Sequence, residues 1–213
     1  MKTVMVCLSG GLDSSCLLDF LRRRGDEVCA LFIDRGQGNC EPERRAVKHV
    51  TGILDVPLQE TFLRDWRSSW PKGEADFNVP RNAVFVLAAL PFARNLRADD
   101  IALGCNRDDT TVPDGSEAFI EALNGLLKVT KQTIRASAPF LEARMGKADV
   151  YRYGLAHLGQ DFVDHTWSCY HHEPEPCGKC RACTDRALAK KEAAADPRCR
   201  CPYHDGSKPA APP

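Results

Sequence analysis

What this sequence lacks narrows its function before any motif is read. No stretch of its 213 residues approaches the roughly 18 consecutive apolar residues of a membrane span. The N-terminal MKTVMVCLSGG breaks into glycine too early for a signal peptide, so a soluble, cytoplasmic protein without a membrane partner is expected. Net charge is also missing, since 29 basic residues balance 29 acidic ones. A protein that holds a nucleic-acid backbone by charge carries a basic excess, so nucleic acid is not an expected partner. Cysteine, by contrast, is abundant. Eleven is an odd count, and the chain is long for a secreted disulfide scaffold, so no disulfide framework is expected. The length suits one domain with a real core plus a small appendage.

Residues 1–158 alternate short β-branched runs with longer helical patterns. Runs at 3–8, 28–33, 53–58, 101–104 and 133–138 read as strands, the third ending near Pro57. Helical patterns occupy 14–24, 42–50, 83–95, 116–129 and 147–158, and the strongly apolar 83–95 reads as a buried helix despite Pro91. A polar loop broken by Pro and Gly spans 64–80. The alternation predicts an α/β domain over residues 1–158 with a five-stranded parallel sheet and right-handed crossovers. Ligands of such sheets bind beyond the carboxyl ends of the strands. After Gly159 the apolar periodicity thins and Cys, His and Pro take over. This predicts a small metal-binding module at 159–205 with a helix over 184–195, then a flexible tail at 206–213.

Ser9-Gly10-Gly11-Leu12-Asp13-Ser14-Ser15 directly follows the first strand and opens the first helix. Two glycines let the backbone approach a phosphate, serine hydroxyls donate to its oxygens, and the helix start points N–H groups at the same spot. The Gly-Lys-Ser/Thr ending of a Walker A loop and the G-x-G-x-x-G dinucleotide turn are both absent. An ordinary strand-to-helix turn needs one cap and one glycine, not two glycines and three serines.

Six cysteines crowd into residues 169–201. Cys169, Cys177, Cys180 and Cys183 have the spacing C-x7-C-x2-C-x2-C, in which neighbouring thiolates converge on one ion. Four thiolates make a closed tetrahedral Zn2+ site of structural type, and it fixes a segment poor in apolar residues. An iron–sulfur cluster takes the same ligands and stays open as an alternative. Cys199, Cys201 and His204 read as spare surface groups, with metal binding as their other reading.

SGG-x-DSS resembles the pyrophosphate loop of the N-type ATP pyrophosphatases, which cleave ATP between its α and β phosphates and adenylate a carboxylate or carbonyl oxygen. Trp167-Ser168-Cys169-Tyr170, Cys177-Gly178-Lys179-Cys180-Arg181-Ala182-Cys183 and Arg186 resemble the zinc signature of one branch, the 7-cyano-7-deazaguanine synthases. So do Phe32-Ile33-Asp34 with Gly36-Gln37, Val79-Pro80-Arg81-Asn82, Gly104-Cys105-Asn106 with Asp109, Pro113-Asp114 with Phe119, and Lys147-Ala148-Asp149. The resemblance covers about residues 3–190. It implies an adenine-nucleotide alpha-hydrolase-like, Rossmann-like fold, and an enzyme that uses ATP, Mg2+ and Zn2+. The implied reaction adenylates 7-carboxy-7-deazaguanine, lets ammonia displace AMP, and dehydrates the amide to the nitrile preQ0 with a second ATP. It implies catalytic roles for Ser9, Asp13, Ser14, Arg81 and Lys147. It implies nucleotide contacts for Leu8, Gly10, Gly11, Leu12, Ser15, Asp34, Gln37, Asn82, Gly104 and Asp109, and a homodimer.

The departures fall together. The family's aromatic and basic residues after the second strand become Arg35, Gly38 and Asn39, and its Tyr, Cys and Arg around Pro113-Asp114 become Val112, Gly115 and Ser116. A changed acceptor is therefore an alternative, with the reaction stopping at the amide or joining the deazaguanine to a protein or peptide amine. tRNA thiolation, with Cys105 as its reactive thiol, is a lesser reading, and a non-enzymatic zinc module has no use for the phosphate loop.

Overall fold

The computed structural model describes residues 1–63, 80–171 and 174–198. The strands are β1 (Thr3–Cys7), β2 (Glu27–Asp34), β3 (Leu58–Phe62), β4 (Asp100–Ala102) and β5 (Arg135–Ser137), all parallel, in the order β3-β2-β1-β4-β5. The helices are α1 (Leu12–Arg24), α2 (Cys40–Leu54), α3 (Arg81–Asn95), α4 (Glu117–Val129), α5 (Pro139–Glu142), α6 (Lys147–His157), α7 (Gly159–His165) and α8 (Arg181–Ala195). The expected α/β architecture is therefore present.

The central strands show why the sheet is buried on both sides. Successive side chains of a strand point to opposite faces. Val4 and Val6 of β1 join Val28, Ala30 and Phe32 of β2 in one core, while Met5, Cys29, Leu31 and Ile33 join a second. The first core is completed by α1, α2, α6, α7 and α8, and the second by α3 and α4. In the first, Phe20 meets Phe140 and Tyr153 edge-on at 5.1 and 5.7 Å. The Tyr153 hydroxyl donates to Asp19 at 2.7 Å, which satisfies the one polar atom that ring buries. Ala189 and Ala193 of α8 lie in this same core, so elements on either side of residue 158 pack together.

Two readings of the sequence are corrected. The third strand is Leu58–Phe62 rather than 53–58, because α2 runs on to Leu54. Asp55 then closes that helix at φ 48, and Pro57 precedes the strand instead of ending it. The apolar residues Ile53 and Leu54 belong to the last turn of α2. Helix α3 is not buried all round: only Val86, Ala89 and Ala93 are fully buried, and Leu87 is 44 % exposed. The helices α5 and α7 are too short to stand out by period. The tail, most of the 64–80 loop, and Cys199, Cys201 and His204 lie outside the described residues.

Chain order places the switch point between β1 and β4. From β1 the chain steps outward through β2 to β3, then returns to β4 on the other side of β1. Crevices form at such points beyond the strand ends.

Candidate functional site

A cavity of about 600 Å³ opens at that switch point. Cys7, Leu8 and Ser9 from the end of β1 line it beside Leu103, Gly104 and Cys105 from the end of β4. The turn after β1 is compressed. Gly10 sits at φ +76, and a Cβ there would stand 2.6 Å from the Glu43 carbonyl oxygen. A Cβ on Gly104 would stand 2.9 Å from the Ser14 nitrogen, so β4 reaches the start of α1 only because both residues are glycine. Within the turn, the hydroxyls of Ser9 and Ser14 lie 3.0 Å apart, and Ser14 Oγ also donates to the Gly11 carbonyl. Gly11 caps α1 without a side chain, which leaves the positive end of the helix facing the cavity for an anion.

Charged groups converge beside this turn. Lys147, the first residue of α6, ion-pairs with Asp13. Asn106 Nδ2 donates to the other Asp13 oxygen at 3.2 Å. Burial opposes the charge on Lys147, but the Asp13 carboxylate beside it keeps the ammonium's pKa above its ordinary value. Burial, followed by the Asp13 charge, raises Asp109 to about 6. A carboxylate pair of this kind supplies the hard oxygen donors that Mg2+ prefers.

Of the expected site residues, Leu8, Ser9, Gly11, Asp13, Ser14, Gln37, Arg81, Asn82, Gly104, Asp109 and Lys147 line this cavity. Four others do not. Leu12 points into the apolar core. Ser15 is buried inside α1. Gly10 turns its backbone away, its carbonyl accepting the Trp167 N–H at 2.8 Å. The Asp34 carboxylate faces sideways, accepting from the Gly36 N–H at 2.9 Å and pairing with Arg44 at 2.5 Å.

The structure adds a wall that the sequence did not announce. Trp167, Ser168, Tyr170, Arg181 and Asp185 line the cavity together with Phe32 and Phe85. Ser168 Oγ is buried without a hydrogen-bond partner, and a Cβ on Gly11 would lie 3.9 Å from it. An orphaned hydroxyl against a phosphate-type turn is a donor awaiting a ligand. Glu43, in the first turn of α2, lines the same space. Arg35, Asn39, Val112 and Gly115, where the chain departs from the synthase pattern, line it as well.

The wall is carried by the cysteine cluster. The sulfurs of Cys169, Cys177, Cys180 and Cys183 all lie within 4.8 Å of one another, and those of Cys169 and Cys180 are 4.0 Å apart. A tetrahedral ion with bonds of about 2.3 Å needs sulfurs about 3.8 Å apart, so the donor set fits a closed Zn2+ site. Backbone N–H groups of His171 and Cys177 point at the Cys169 sulfur, each at 3.4 Å. N–H groups of Lys179 and Cys180 draw the Cys177 thiol down to about 6, toward the thiolate that a metal binds. Asn39 Nδ2 donates to the Cys169 carbonyl at 2.9 Å, tying the cluster to the β2–α2 loop.

A serine-rich turn at the switch point of a parallel sheet, under a cavity with lysine and paired carboxylates, defines an ATP pyrophosphatase of the PP-loop kind. The chain belongs to the family of the queuosine biosynthesis protein QueC, whose model matches residues 3–70 and 71–194. It is similar to the 7-cyano-7-deazaguanine synthase of Aquifex aeolicus, with 32% identity over 87% of this chain and 95% of that one. It also resembles the synthase of Acidobacterium capsulatum, with 33% identity over 92% and 95%. The protein is therefore an enzyme, an ATP-dependent ligase forming C–N bonds. Among solved structures, the U34-tRNA thiolase NcsA of Methanococcus maripaludis with its 4Fe-4S cluster shares the fold, with TM-score 0.52, 15% identity, and 92% and 67% of the two chains covered. No helix among the described residues is long and apolar enough to cross a membrane.

Proposed function

We propose that the protein adenylates the carboxylate of 7-carboxy-7-deazaguanine with ATP, that ammonia displaces AMP, and that a second ATP converts the amide to 7-cyano-7-deazaguanine. The observation that carries this reading is the cavity itself. It holds phosphate-binding groups and the aromatic rings of Phe32, Phe85, Trp167 and Tyr170 in one space, the rings suiting a flat heterocycle. A carboxylate is a poor acyl donor until its oxygen becomes a leaving group, which adenylation accomplishes. Ser9, Ser14, the N–H groups at the start of α1 and the Ser168 hydroxyl hold the departing pyrophosphate. Lys147 and Arg81 offset charge on the phosphates and the reacting carboxylate. Asp13 and Asp109 would hold Mg2+, which supplies further neutralisation. Zn2+ in the four-cysteine site supplies strong bonds with no open position, so its role is structural.

Incubation with ATP and 7-carboxy-7-deazaguanine, with and without ammonium, tests the reading. The expected product is the nitrile mass, formed only with ammonium. A second reading rests on Arg35, Asn39, Val112 and Gly115, which reshape the acceptor side of the same cavity. It predicts amide that never becomes nitrile, or a deazaguanine adduct on a peptide amine. Thiolation is disfavoured by the Cys105 thiol, which burial and the carboxylates of Asp109, Asp114 and Asp13 push up, away from the reactive thiolate. A cytoplasmic homodimer completes the proposal, with the second copy on α3 and α4. Leu87 and Leu126, each 44 % exposed, and Val129, 75 % exposed, lie on these helices. Light scattering should give twice the monomer mass, and Leu126→Asp should halve it.

A further inference from the structure

Glu43 is a carboxylate that the adenylation chemistry leaves unused. It stands in the first turn of α2 and lines the cavity. Two amides hold it: Gln37 Nε2 donates to Oε2 at 2.6 Å, and Asn39 Nδ2 donates to Oε1 at 2.8 Å. Both amides are themselves fixed. Gln37 Oε1 accepts the Arg35 N–H at 3.0 Å, and Asn39 Nδ2 also donates to the Cys169 carbonyl at 2.9 Å. Each carboxylate oxygen thus has one amide donor and keeps acceptor capacity for a further proton. A side chain preorganised in this way, within a ligase cavity, suits a group that reacts rather than one that packs.

We propose that Glu43 accepts the proton of the nitrogen nucleophile in the amide-forming step. The inference rests on the ligase reading above. In that step the amine lone pair attacks the carbonyl carbon of the acyl adenylate and the C–N bond forms. The C–O bond to phosphate breaks, AMP leaves with its electron pair, and the proton lost by nitrogen passes to the Glu43 carboxylate. No oxidant or reductant is needed. Burial raises the Glu43 carboxyl to about 7, while Gln37, Arg35, Asn39 and Arg81 hold it from rising further. The charged groups that act on it most are Arg35 on the β2–α2 loop and Arg81 at the start of α3. A base poised near neutrality is effective because it is substantially ionised yet still basic.

The test separates the two half-reactions in the full-length, metal-loaded enzyme. Carboxylate-dependent ATP–pyrophosphate exchange reports adenylation. Hydroxamate formation with hydroxylamine, its free base held at one concentration across the pH series, reports transfer. Glu43→Gln keeps the size of the side chain and should lower the ratio of hydroxamate formation to exchange by about 100-fold. It should also abolish the rise in transfer rate through about pH 7. Glu43→Asp should recover part of the rate and retain the pH-dependent rise. An equal fall in both half-reactions overturns the proposal in favour of a structural role. So does a higher KM for the carboxylate at unchanged kcat, which assigns Glu43 to recognition of the heterocycle. Failure of the unaltered enzyme to exchange with this carboxylate overturns the substrate reading itself, and this role falls with it.

Discussion

At the phosphate turn the ligand-facing groups come mainly from consecutive residues 9–15, and the strands and helix that carry them are cemented by apolar core. At the wall beside it they come from segments as far apart as Asn39 and Cys169, joined by a hydrogen bond across 130 positions. The first region takes its shape from packing, with Val4, Val6, Leu8 and Leu12 buried to 2 % exposure or less. The second has few buried apolar residues between Thr166 and α8 among the described residues, and takes its shape from polar bonds and four converging sulfurs. A site split in this way can change what it accepts at the wall without rebuilding the phosphate end.

The contrast predicts how each region fails. Cys180→Ser removes one of four metal donors from the wall, and structural zinc sites contribute folding free energy outright. The expected loss is several kcal/mol, on the order of a broken buried network, read as a lower Tm and loss of bound metal. A variant that keeps both its metal and its Tm breaks the comparison. Ser14→Ala acts in the phosphate turn, where Ser14 Oγ hydrogen-bonds to Ser9 and Gly11 atoms of that turn. The fold should survive with about 1 kcal/mol lost, while AMP formation falls by about 100-fold or more. Equal thermal shifts in these two variants contradict the division.

A pH dependence sharpens the boundary between the regions. Burial raises Glu43 to about 7, so its folded-state pKa exceeds the unfolded value and the ionised form is the one penalised. Between roughly pH 4.5 and 7 the folded protein binds more protons than the unfolded chain, so stability falls as pH rises through this window. Glu43 should contribute on the order of 2 kcal/mol to the fall between pH 5 and 8, with Asp109, raised to about 6, adding to its lower part. Denaturant titrations of the parent and Glu43→Gln at the two pH values measure it. Glu43→Gln should have the shallower pH dependence, and identical slopes refute the assignment.

The same division explains what was legible in the sequence. The phosphate turn could be read because its glycines and serines are contiguous and follow a β-branched run. The cysteine spacing could be read because x2 intervals bring thiolates together locally. Glu43, Trp167 and Ser168 could not be placed on the wall that way, since nothing local to α2 or to the end of α7 says that they face one cavity. The third strand was misplaced because Ile53 and Leu54 are apolar for a helical reason, as the last turn of α2. Helix α3 looked buried because composition counts apolar residues without saying which face is covered. Asp34 ends its strand as the resemblance implies, but Arg44, one helical turn into α2, draws its carboxylate away from the cavity.

The most direct test of the account is which bond of ATP is cut and how often. With 7-carboxy-7-deazaguanine and ammonium, AMP and pyrophosphate should appear together, two of each for every nitrile formed, and neither should appear without the carboxylate. Release of ADP and phosphate, or AMP formation indifferent to the carboxylate, would contradict it.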